Sequence, residues 1–569
     1  MSNQASTPDS CRVADTDPLM VELAKVLPKG CKFTAHHLST PPTITDPLCH
    51  PPAYNPITDS KTPENRDVAQ SKKRPSKPLI TYCEKHFLII SIDSKKEGPD
   101  SDTNAQVMVL GIEIYIYTTS FSTIIFVAKA DSTGYLNLLN LPKGTPSPIR
   151  EITACFLAFL VTNRRRATKQ LVVNLFARSQ SQYLFAGSVD NSGKHILDDR
   201  GLVKWWCRVL NSLLEDDEYL EVRKFWDNIH GYLIIPGLDN YETRAFLPRS
   251  SAAATNWTLG HPLEKMSPYT KDHTKFGQTI HPRSLIPVFP DDPKARFIQE
   301  LEESVSEKAK LLGGWKTPRT LDQFWDMMAF RQECSSGRLT GFVWVLFEPR
   351  AKAQPGSSAA GFIAPSAKKA RRKPKPKKKK KSMTGPIIPR KPQIKTHQRA
   401  HFPKQVETPY YYWPENGRGR VVLSDTNYKR AIELLLHLEF ATLDKAVAST
   451  TRWTKQVDMG EDWSLEIIGK RETIPIRTLS SPSAVVNNLG AQVRRKRGPD
   501  DNLTSDTAAS TPSVNTLGES LIRKKAKVDT NPTPEIRTQE PGPTQPDAKQ
   551  EPTVNVLGGG LVRKKESTS

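Results

Sequence analysis

The chain has 569 residues, of which 37% are hydrophobic and 46 are proline, and its net charge at pH 7 is +22. This apolar fraction is low for a chain that folds along its whole length, so we expect a folded domain together with unstructured segments. Seven scattered cysteines without a C-x-x-C pair argue against a disulfide framework and a cysteine-rich zinc site. The polar N-terminus and the lack of an apolar run of about 18 residues argue against a secretory signal and a membrane span. The positive charge favours polyanionic partners or partners with an acidic surface.

Runs of β-branched and aromatic residues alternate with apolar residues at helical spacing, which predicts a mixed α and β fold. The predicted strands are 87–92, 107–117, 123–128, 170–176 and 232–235, and the predicted helices are 149–161, 202–214 and one from 294. The periodic pattern resumes near residue 410, in YYYWPENGRGRVVL and AIELLLHLEFATLDKAV. The polar stretch before it is therefore predicted to be a loop inside one domain.

Four segments have too few apolar residues to form a core, and we expect them to be disordered. They are residues 1–17, 41–78, 367–384 and 476–569, which leaves an interrupted domain over 18–475. Between Lys368 and Lys381, eleven of fourteen residues are Lys or Arg. This Lys-rich loop can be a solvated loop, a nuclear import signal or a nucleic-acid contact.

The C-terminal tail contains three copies of a V-N-x-L-G motif that is followed by an aliphatic and basic residues, beginning at Val486, Val514 and Val554. One interpretation is local duplication of a tail that has no partner. The other is a short linear motif that folds on a partner, with apolar residues in a groove and cations against acidic groups. Three copies would then raise the avidity.

The segment IPVFPDDPKARF contains two adjacent carboxylates, Asp291 and Asp292. Asp292 followed by Pro293 is typical of a helix start, with Asp at the N-cap and Pro at the first helical position. That interpretation does not explain the pair, nor the cation of Lys294 in the first helical turn. Adjacent carboxylates also disfavour each other's ionised form, so one of them could accept a proton near neutral pH. The two interpretations are compatible.

Five motifs in one order resemble the fungal regulator-of-Ty-transposition histone acetyltransferase family over about residues 18–475. They are VAKADSTGY from Val127, LFARSQSQYLF from Leu175, KHIL from Lys194, KWW from Lys204 and FPDDPKARF. The resemblance implies a fold like that of the CREB-binding-protein acetyltransferases: a mixed α+β domain with a central mixed sheet, surrounding helices and a long loop over the coenzyme.

The resemblance also implies an enzyme that moves acetyl from acetyl-CoA to histone H3 in the nucleus, without a metal. The expected targets are the lysine near the start of the histone core, where nucleosomal DNA enters, and tail lysines. The expected partners are histone H3–H4 and chaperones of the nucleosome-assembly-protein and anti-silencing-function types, in chromatin assembly during replication and in genome stability. DNA contact through the Lys-rich loop is a further expectation. The alternative function is a chromatin tether without catalysis.

By resemblance, Asp292 is the acid/base candidate, Asp291 is its neighbour and Trp206 walls the lysine channel. Lys294 matches a lysine that the family acetylates on itself, the alternative being a solvated surface lysine. One of the two adjacent tryptophans can instead belong to the core, and Asp131 can be a simple turn former. The expected acetyl-CoA contacts are Ala130, Asp131, Ser132, Pro146, Ser147, Pro148, Ile149, Arg150, Phe176, Gln180, His195, Ile196, Leu197 and Trp205.

The stretch from Lys143 to Arg150 leads into a predicted helix. Free backbone N–H groups at a helix start, together with these two cations, can bind the coenzyme phosphates. The alternative is an ordinary proline-rich turn.

Overall fold

A computed structural model describes residues 17–52, 78–94, 105–270, 280–306, 315, 317–331, 337–350, 403, 405–458 and 463–472. The chain divides into two units, residues 1–480 and 481–569, and every described residue belongs to the first. The Lys-rich loop, the three tail repeats and residues 1–16 and 53–77 lie outside the described residues. Within the described ranges, no helix combines the length and apolar composition that crossing a membrane requires.

The described residues form one mixed β-sheet of eleven strands. The strands are β1 (Lys32–Ser39), β2 (Thr43–Thr45), β3 (Thr81–Asp93), β4 (Gln106–Thr118), β5 (Ser122–Ser132), β6 (Gln170–Ala177), β7 (Trp226–Ile234), β8 (Trp257–Leu259), β9 (Gly341–Pro349), β10 (Val421–Val422) and β11 (Leu465–Ile468). The path through the sheet is β10-β1-β3-β4-β5-β6-β9-β7-β8, with β11 beside β1 and β2 beside β3.

Helices flank this sheet. They are α1 (Pro18–Val26), α2 (Pro148–Asn163), α3 (Asp199–Glu215), α4 (Leu220–Arg223), α5 (Asn240–Arg244), α6 (Ala253–Asn256), α7 (Leu263–Met266), α8 (Pro293–Glu303), α9 (Leu321–Ala329), α10 (Asp425–Leu436) and α11 (Leu443–Asp458). Short 3-10 turns lie at Tyr135–Leu139, Ser188–Asp190, Asp217–Tyr219, Pro282–Ser284 and Glu415–Gly417. The predicted mixed fold with a central sheet and surrounding helices is confirmed.

Both faces of the sheet are covered, which explains the sequence pattern of its strands. On β6, Leu171, Val173 and Leu175 face one core cluster, which also contains residues of α2, α3, α10 and α11. Val172 and Phe176, which alternate with them, face a second cluster with residues of α8 and α9. A strand buried on both faces reads as a continuous apolar run rather than as a clean alternation. The predicted strands and helices are all present, and the structure extends most of them by a few residues.

The structure differs from the expectation for residues 41–78, because Thr43–Thr45 form β2 and pair with Thr81–Cys83 of β3. The side chains of Thr43 and Ile44 are exposed, so this strand is held mainly by backbone hydrogen bonds. Its amino-acid composition therefore does not indicate a strand. Five further strands were not predicted: β1, β9 and the short strands β8, β10 and β11. β1 carries Thr and His among its buried residues, whereas β9 is an apolar run that its composition would have allowed us to assign.

One edge of the sheet gathers several chain segments. β5 and β6 are parallel and joined through α2, while β9 runs antiparallel to β6 and begins opposite Ala177. The carboxyl ends of β5 and β6 and the start of β9 therefore meet at the same edge. The motifs quoted above from Val127 and Leu175 end there.

Candidate active site

A cavity of about 470 Å³ opens at this edge of the sheet. Its walls come from the end of β5, the start of α2, two loops near residues 180 and 195, and the first turns of α3. The predicted coenzyme residues that line it are Ala130, Asp131, Ser132, Ser147, Ile149, Gln180, His195, Ile196, Leu197 and Trp205, and Trp206 lines it as well. The structure thus brings most of the predicted coenzyme residues to one site.

Four predicted coenzyme residues do not line this cavity. Pro146 and Pro148 are absent from its walls, and Arg150 pairs with Glu151 instead, with Nε and Oε1 2.9 Å apart. Phe176 lines a smaller adjoining cavity of about 50 Å³, which shares Ala130, Tyr183, Leu202 and Trp206 with the larger one. Trp206 therefore lines both of these adjoining cavities.

Asp131, near the end of β5, forms hydrogen bonds with two loops of the cavity wall. Its Oδ2 accepts hydrogen bonds from the backbone N–H groups of Tyr183, Leu184 and Phe185 at 2.7, 2.9 and 3.2 Å. Its Oδ1 accepts from Lys194 Nζ at 2.9 Å and also from the backbone of the next residue. The carboxylate thus forms hydrogen bonds within the protein, which is more than a turn former does, and the same residue lines the cavity.

The loop near residue 195 is held close to β5 by Lys194 and a glycine. The Lys194 side chain is buried and donates to Ser188 Oγ at 2.7 Å as well as to Asp131. Gly134 has a φ of +95°, and a Cβ there would lie 2.4 Å from the Lys194 nitrogen. Only glycine allows the two chain segments to approach so closely.

A second hydrogen-bond network, centred on Asp199, holds the loop near residue 180 in place. Asp199 Oδ1 accepts from the Ser179 N–H at 2.9 Å, and its Oδ2 accepts from Arg338 Nε at 2.8 Å and from the Leu339 N–H at 3.2 Å. Arg338 also donates to the Ser179 carbonyl. Burial alone would raise the pKa of Asp199, but Arg338 and these backbone donors outweigh it and leave that pKa below its usual value.

The two adjacent tryptophans lie in the second turn of α3, which Asp198 caps by accepting from the Gly201 N–H at 2.7 Å. Trp206 is buried in the first core cluster, while Trp205 is only partly buried. Their rings meet edge to face, with the centroids 4.9 Å apart. Trp206 thus combines a core position with a place in both cavity walls, so the structural and the functional interpretations hold together.

Asp292 and Lys294 form a sealed ion pair at the start of α8. Asp292 is the N-cap, as predicted, and accepts from the Lys294 N–H at 2.9 Å. Its two oxygens also accept from Lys294 Nζ at 3.0 and 2.7 Å, and both residues are 0% exposed. Burial lowers the pKa of the Lys294 ammonium, although Asp292 opposes this. The alternative of a solvated surface lysine is wrong.

Asp291 does not share that environment. It has a φ of +57°, in the left-handed region, and is exposed, whereas Asp292 is turned into the protein. The adjacent carboxylates therefore lie in different surroundings, and the structure does not bring them together as a pair. Neither of them lines either cavity.

Aromatic residues connect the ion pair with the smaller cavity. Lys294 Nζ lies 4.1 Å from the ring centroid of Phe342, and Phe342 is the register partner of Phe176 on β6. Phe176 also packs on Phe126, which stacks on Phe289 with the ring centroids 4.4 Å apart. The segment that contains Phe289, Asp292 and Lys294 thus packs on the face of the sheet that carries Phe176.

Residues 19–171 and 167–456 match the family model of the KAT11-type histone acetyltransferase domain. The chain belongs to this family.

Relatives agree with the assignment of this KAT11-type chain. It is 34% identical to the histone acetyltransferase rtt109 of Aspergillus flavus, over 89% of the chain and 98% of that protein. It is 33% identical to the histone acetyltransferase rtt109 of Schizosaccharomyces pombe, over 42% of the chain and 56% of that protein. The crystal structure of Rtt109 from Aspergillus fumigatus superposes with a TM-score of 0.57 at 32% identity, over 80% of this chain and all of that one.

Membership in the KAT11-type family confirms the prediction of a histone acetyltransferase over the alternative of a non-catalytic tether. It implies histones as substrates, acetyl-CoA as the co-substrate and action on chromatin in the nucleus.

Several residues that build the site of this KAT11-type enzyme were not predicted from the sequence. Lys194 stands at the head of the quoted KHIL motif, but only the three residues after it were assigned. Arg338 lies 139 residues from Asp199 along the chain, so no local pattern could have linked them. Tyr183 is a cavity wall residue inside the quoted LFARSQSQYLF motif.

Proposed function

We propose that the enzyme transfers acetyl from acetyl-CoA to histone H3, chiefly to the lysine near the start of the histone core and also to tail lysines. The observation that carries this proposal is the cavity of about 470 Å³ at the sheet edge, next to a smaller space that Trp206 and Phe176 line. The larger space suits the coenzyme and the smaller one suits the aliphatic stem of a lysine.

The larger cavity fits the chemistry of coenzyme A. Leu110, Leu136, Leu202 and Trp205 supply apolar walls for the thin pantetheine arm. Ser147, the N-cap residue of α2, also lines the cavity, and the first turn of a helix offers N–H groups and a positive dipole end to phosphate. We propose that the predicted residues on these walls contact the coenzyme. Arg150 can bind a coenzyme phosphate only after its ion pair with Glu151 breaks.

The substrate amine must be neutral before it attacks, since a lysine has an unperturbed pKa of about 10.4. Acetyl-CoA supplies the thioester carbonyl carbon; the amine forms the new C–N bond, the C–S bond breaks and the coenzyme leaves as the thiol. Trp206 excludes water from this step and guides the lysine stem. Asp292 is the proposed proton acceptor, with the exposed Asp291 close to where the histone enters.

Asp292 cannot accept that proton while both of its oxygens bind the Lys294 ammonium. We therefore propose that Lys294 is itself acetylated by the enzyme, which neutralises the cation and leaves one carboxylate oxygen available. The complete burial of the pair supports this order of events, because an uncharged side chain suits a sealed apolar site better than an ammonium does.

The proposed substrate complex is histone H3–H4 carried by acidic chaperones of the nucleosome-assembly-protein and anti-silencing-function types. The excess of 82 basic over 60 acidic residues and the three tail repeats support docking on acidic partners. Deleting everything after residue 476 should lower chaperone-stimulated transfer more than basal transfer, measured with and without chaperone. Equal losses would mean that the repeats do not dock the chaperone. We further propose that the Lys-rich loop serves nuclear import and DNA contact.

The function is tested by following labelled acetyl from acetyl-CoA to H3–H4, with and without chaperone, and by mapping the modified lysines by mass spectrometry. Ala130 lines both cavities, so Ala130→Trp should obstruct them and abolish transfer and acetyl-CoA binding. The control is Tyr241→Ala, which changes an 87% exposed side chain that lines neither cavity and should keep both. No transfer by the unaltered protein under either condition would sink the proposal.

A further inference from the structure

Polar atoms without partners lie in the compartment around Lys294, which we define by Asn174, Trp325, Phe342 and Trp344. Asn174 is 0% exposed, and neither its Nδ2 nor its Oδ1 has a hydrogen-bond partner in the structure. The indole Nε1 atoms of Trp344 and Trp325 are buried without a partner as well. Leaving an amide and two indole donors unpaired in a buried site is costly, so these groups require an explanation.

The sheet register places these groups beside Lys294. Asn174 on β6 is directly opposite Trp344 on β9, and residues that pair in this way project from the same face of the sheet. That face is the one of Val172 and Phe176, in the second core cluster. Lys294 Nζ lies 5.7 Å from the ring centroid of Trp344, next to its closer contact with Phe342.

Trp325 of α9 closes the compartment. Its ring centroid lies 5.3 Å from that of Phe342 and 6.4 Å from that of Trp344. Two aromatic rings, those of Phe342 and Trp344, therefore lie beside the end of the Lys294 side chain, and Trp325 packs against both of them.

The compartment has hydrogen-bond donors that an ammonium cannot use but that an acetylated lysine could pair with. The ammonium uses the two Asp292 oxygens and the ring of Phe342, and it makes no hydrogen bond with the Asn174 amide. An acetyl group would add one carbonyl oxygen, which needs a donor, and one methyl group, which suits an aromatic wall. Asn174 Nδ2 and Trp344 Nε1 are donors of that kind.

We propose that Asn174, together with Trp344, is the recognition group for acetylated Lys294. Asn174 Nδ2 and Trp344 Nε1 donate to the acetyl oxygen, the acetyl-lysine N–H donates to one oxygen of Asp292, and the methyl group packs on Phe342. This rests on the proposed autoacetylation, in which the Lys294 ammonium first gives one proton to solvent and the neutral amine bonds to the thioester carbonyl carbon. The C–S bond then breaks and a second proton passes from nitrogen to sulfur, so the coenzyme leaves as the thiol and the amide keeps one N–H. Asn174 thereby holds the acetyl group so that Asp292 keeps one free oxygen.

The test compares the full-length protein with unmodified Lys294 and with acetyl-lysine inserted at position 294 by codon reassignment. Because translation installs the acetyl group, the result does not depend on whether the enzyme transfers acetyl. Asn174→Leu removes the amide at nearly constant volume, and thermal unfolding is measured for each form. With unmodified Lys294, Asn174→Leu should leave Tm unchanged or raise it, because an unpaired amide disappears.

With acetyl-lysine, Asn174→Leu should lower Tm by on the order of 1–3 °C relative to the acetylated wild-type chain. The control is Ser91→Ala, which removes a different buried polar group without a partner, the Ser91 hydroxyl on β3, and should shift Tm equally in both forms. An equal effect of Asn174→Leu in both forms would overturn the proposal.

A spectroscopic measurement covers the case in which Asn174→Leu does not fold. Asn174→Cys is used instead, and a 13C-labelled acetyl group reports on its carbonyl through the infrared amide band. A hydrogen-bonded carbonyl in the wild-type chain absorbs at lower frequency, so the band should move to higher frequency in Asn174→Cys. An unmoved band would mean that Asn174 does not contact the acetyl oxygen.

Discussion

Asp292 has two structural tasks and one proposed chemical task, and a single carboxylate cannot perform all three at once. It caps α8 through the Lys294 N–H, it neutralises the Lys294 ammonium, and it is our candidate for taking a proton from the substrate. A buried ion pair of this kind contributes little stability by itself, yet removing one partner is strongly destabilising. A single substitution of Asp292 is therefore expected to destabilise the protein, and this loss of stability would obscure any effect on the rate of acetyl transfer.

A paired substitution separates these tasks. Asp292→Asn keeps an N-cap side chain but leaves the ammonium unpaired, at a cost of up to about 3–5 kcal/mol unless Lys294 releases its proton. Asp292→Asn combined with Lys294→Met removes both charges and should recover most of that stability, measured by urea unfolding. If Asp292 acts on the substrate, the double variant should still transfer acetyl about 10²- to 10⁴-fold more slowly than Lys294→Met alone. Equal rates would show that Asp292 serves only as a counterion.

At this scale the sequence predicted what local chemistry determines and missed what depends on distant contacts. The Asp-Pro dipeptide was enough to predict the start of α8. The role of Asp131 depends on N–H groups that lie 52 to 54 residues away, and no local pattern contains that information. The burial of Lys294 likewise depends on β9, whose Phe342 and Trp344 pack against it although they are distant along the chain.

Loops rather than regular elements form much of the cavity wall, so the anchors of those loops control its shape. Arg338 lies just before β9. It donates to the Ser179 carbonyl and to Asp199, which in turn accepts from the Ser179 N–H. Arg338→Ala should release the wall near Gln180 and raise KM for acetyl-CoA about threefold to tenfold, with a smaller effect on kcat. Arg338→Lys should recover only part of this, because lysine lacks the planar fork of donors.

The control for Arg338 is Arg223→Ala, which removes another arginine that donates to backbone carbonyls, those of Glu215 and Asp216. Neither Arg223 nor these acceptors line the cavity. This variant should leave KM unchanged. A KM for Arg338→Ala equal to that of the control would contradict a positioning role.

The second loop depends on Lys194. Lys194→Met leaves Asp131 with its backbone donors but removes the cation that ties the loop to β5. We expect weaker acetyl-CoA binding by calorimetry and faster hydrogen exchange at residues 193–197 than in the wild-type chain. Unchanged exchange with weakened binding would indicate instead that the Lys194 ammonium acts on the coenzyme directly.

The elements themselves were predictable where burial dominates their composition. β4 and β5 are apolar on both faces and were assigned from that pattern alone. β1 escaped because buried His36, His37 and Thr34 interrupt its apolar pattern. Tertiary partners make such polar residues tolerable inside a sheet, and one chain segment does not reveal those partners.

Chain segments that precede and follow residues 351–402 belong to the same sheet. β10 and β11 pair with β1, which lies near the beginning of the chain. Arg164, just after α2, donates to the Gly417 carbonyl at 2.8 Å, and Arg166 donates to the Tyr410 carbonyl at 3.0 Å. The arginines that follow α2 thus attach the returning chain to the sheet.

Beneath this junction lies a buried group of titratable side chains. His37 Nε2 and His86 Nδ1 are 3.0 Å apart, and Arg164 binds Glu84 beside them. Burial lowers the pKa of both histidines, strongly for His37, and the charges of Arg164 and of the neighbouring histidine add to the effect at His37. The pair is therefore neutral in the folded protein at pH 7.

Acid should destabilise the domain through this pair. In the unfolded chain each histidine takes up a proton near pH 6.5, whereas in the folded protein it does so only at lower pH. Stability is therefore full above about pH 6.5 and falls as the pH drops toward the lowered pKa values, because the unfolded state binds more protons. Urea midpoints between pH 8 and pH 5 should show this loss, and His37→Gln should reduce it, whereas a substitution of the exposed His437 should not. The same pH dependence in His37→Gln as in the wild-type chain would mean that the acid sensitivity originates elsewhere in the protein. The histidines would then serve only to fill the space beneath Arg164.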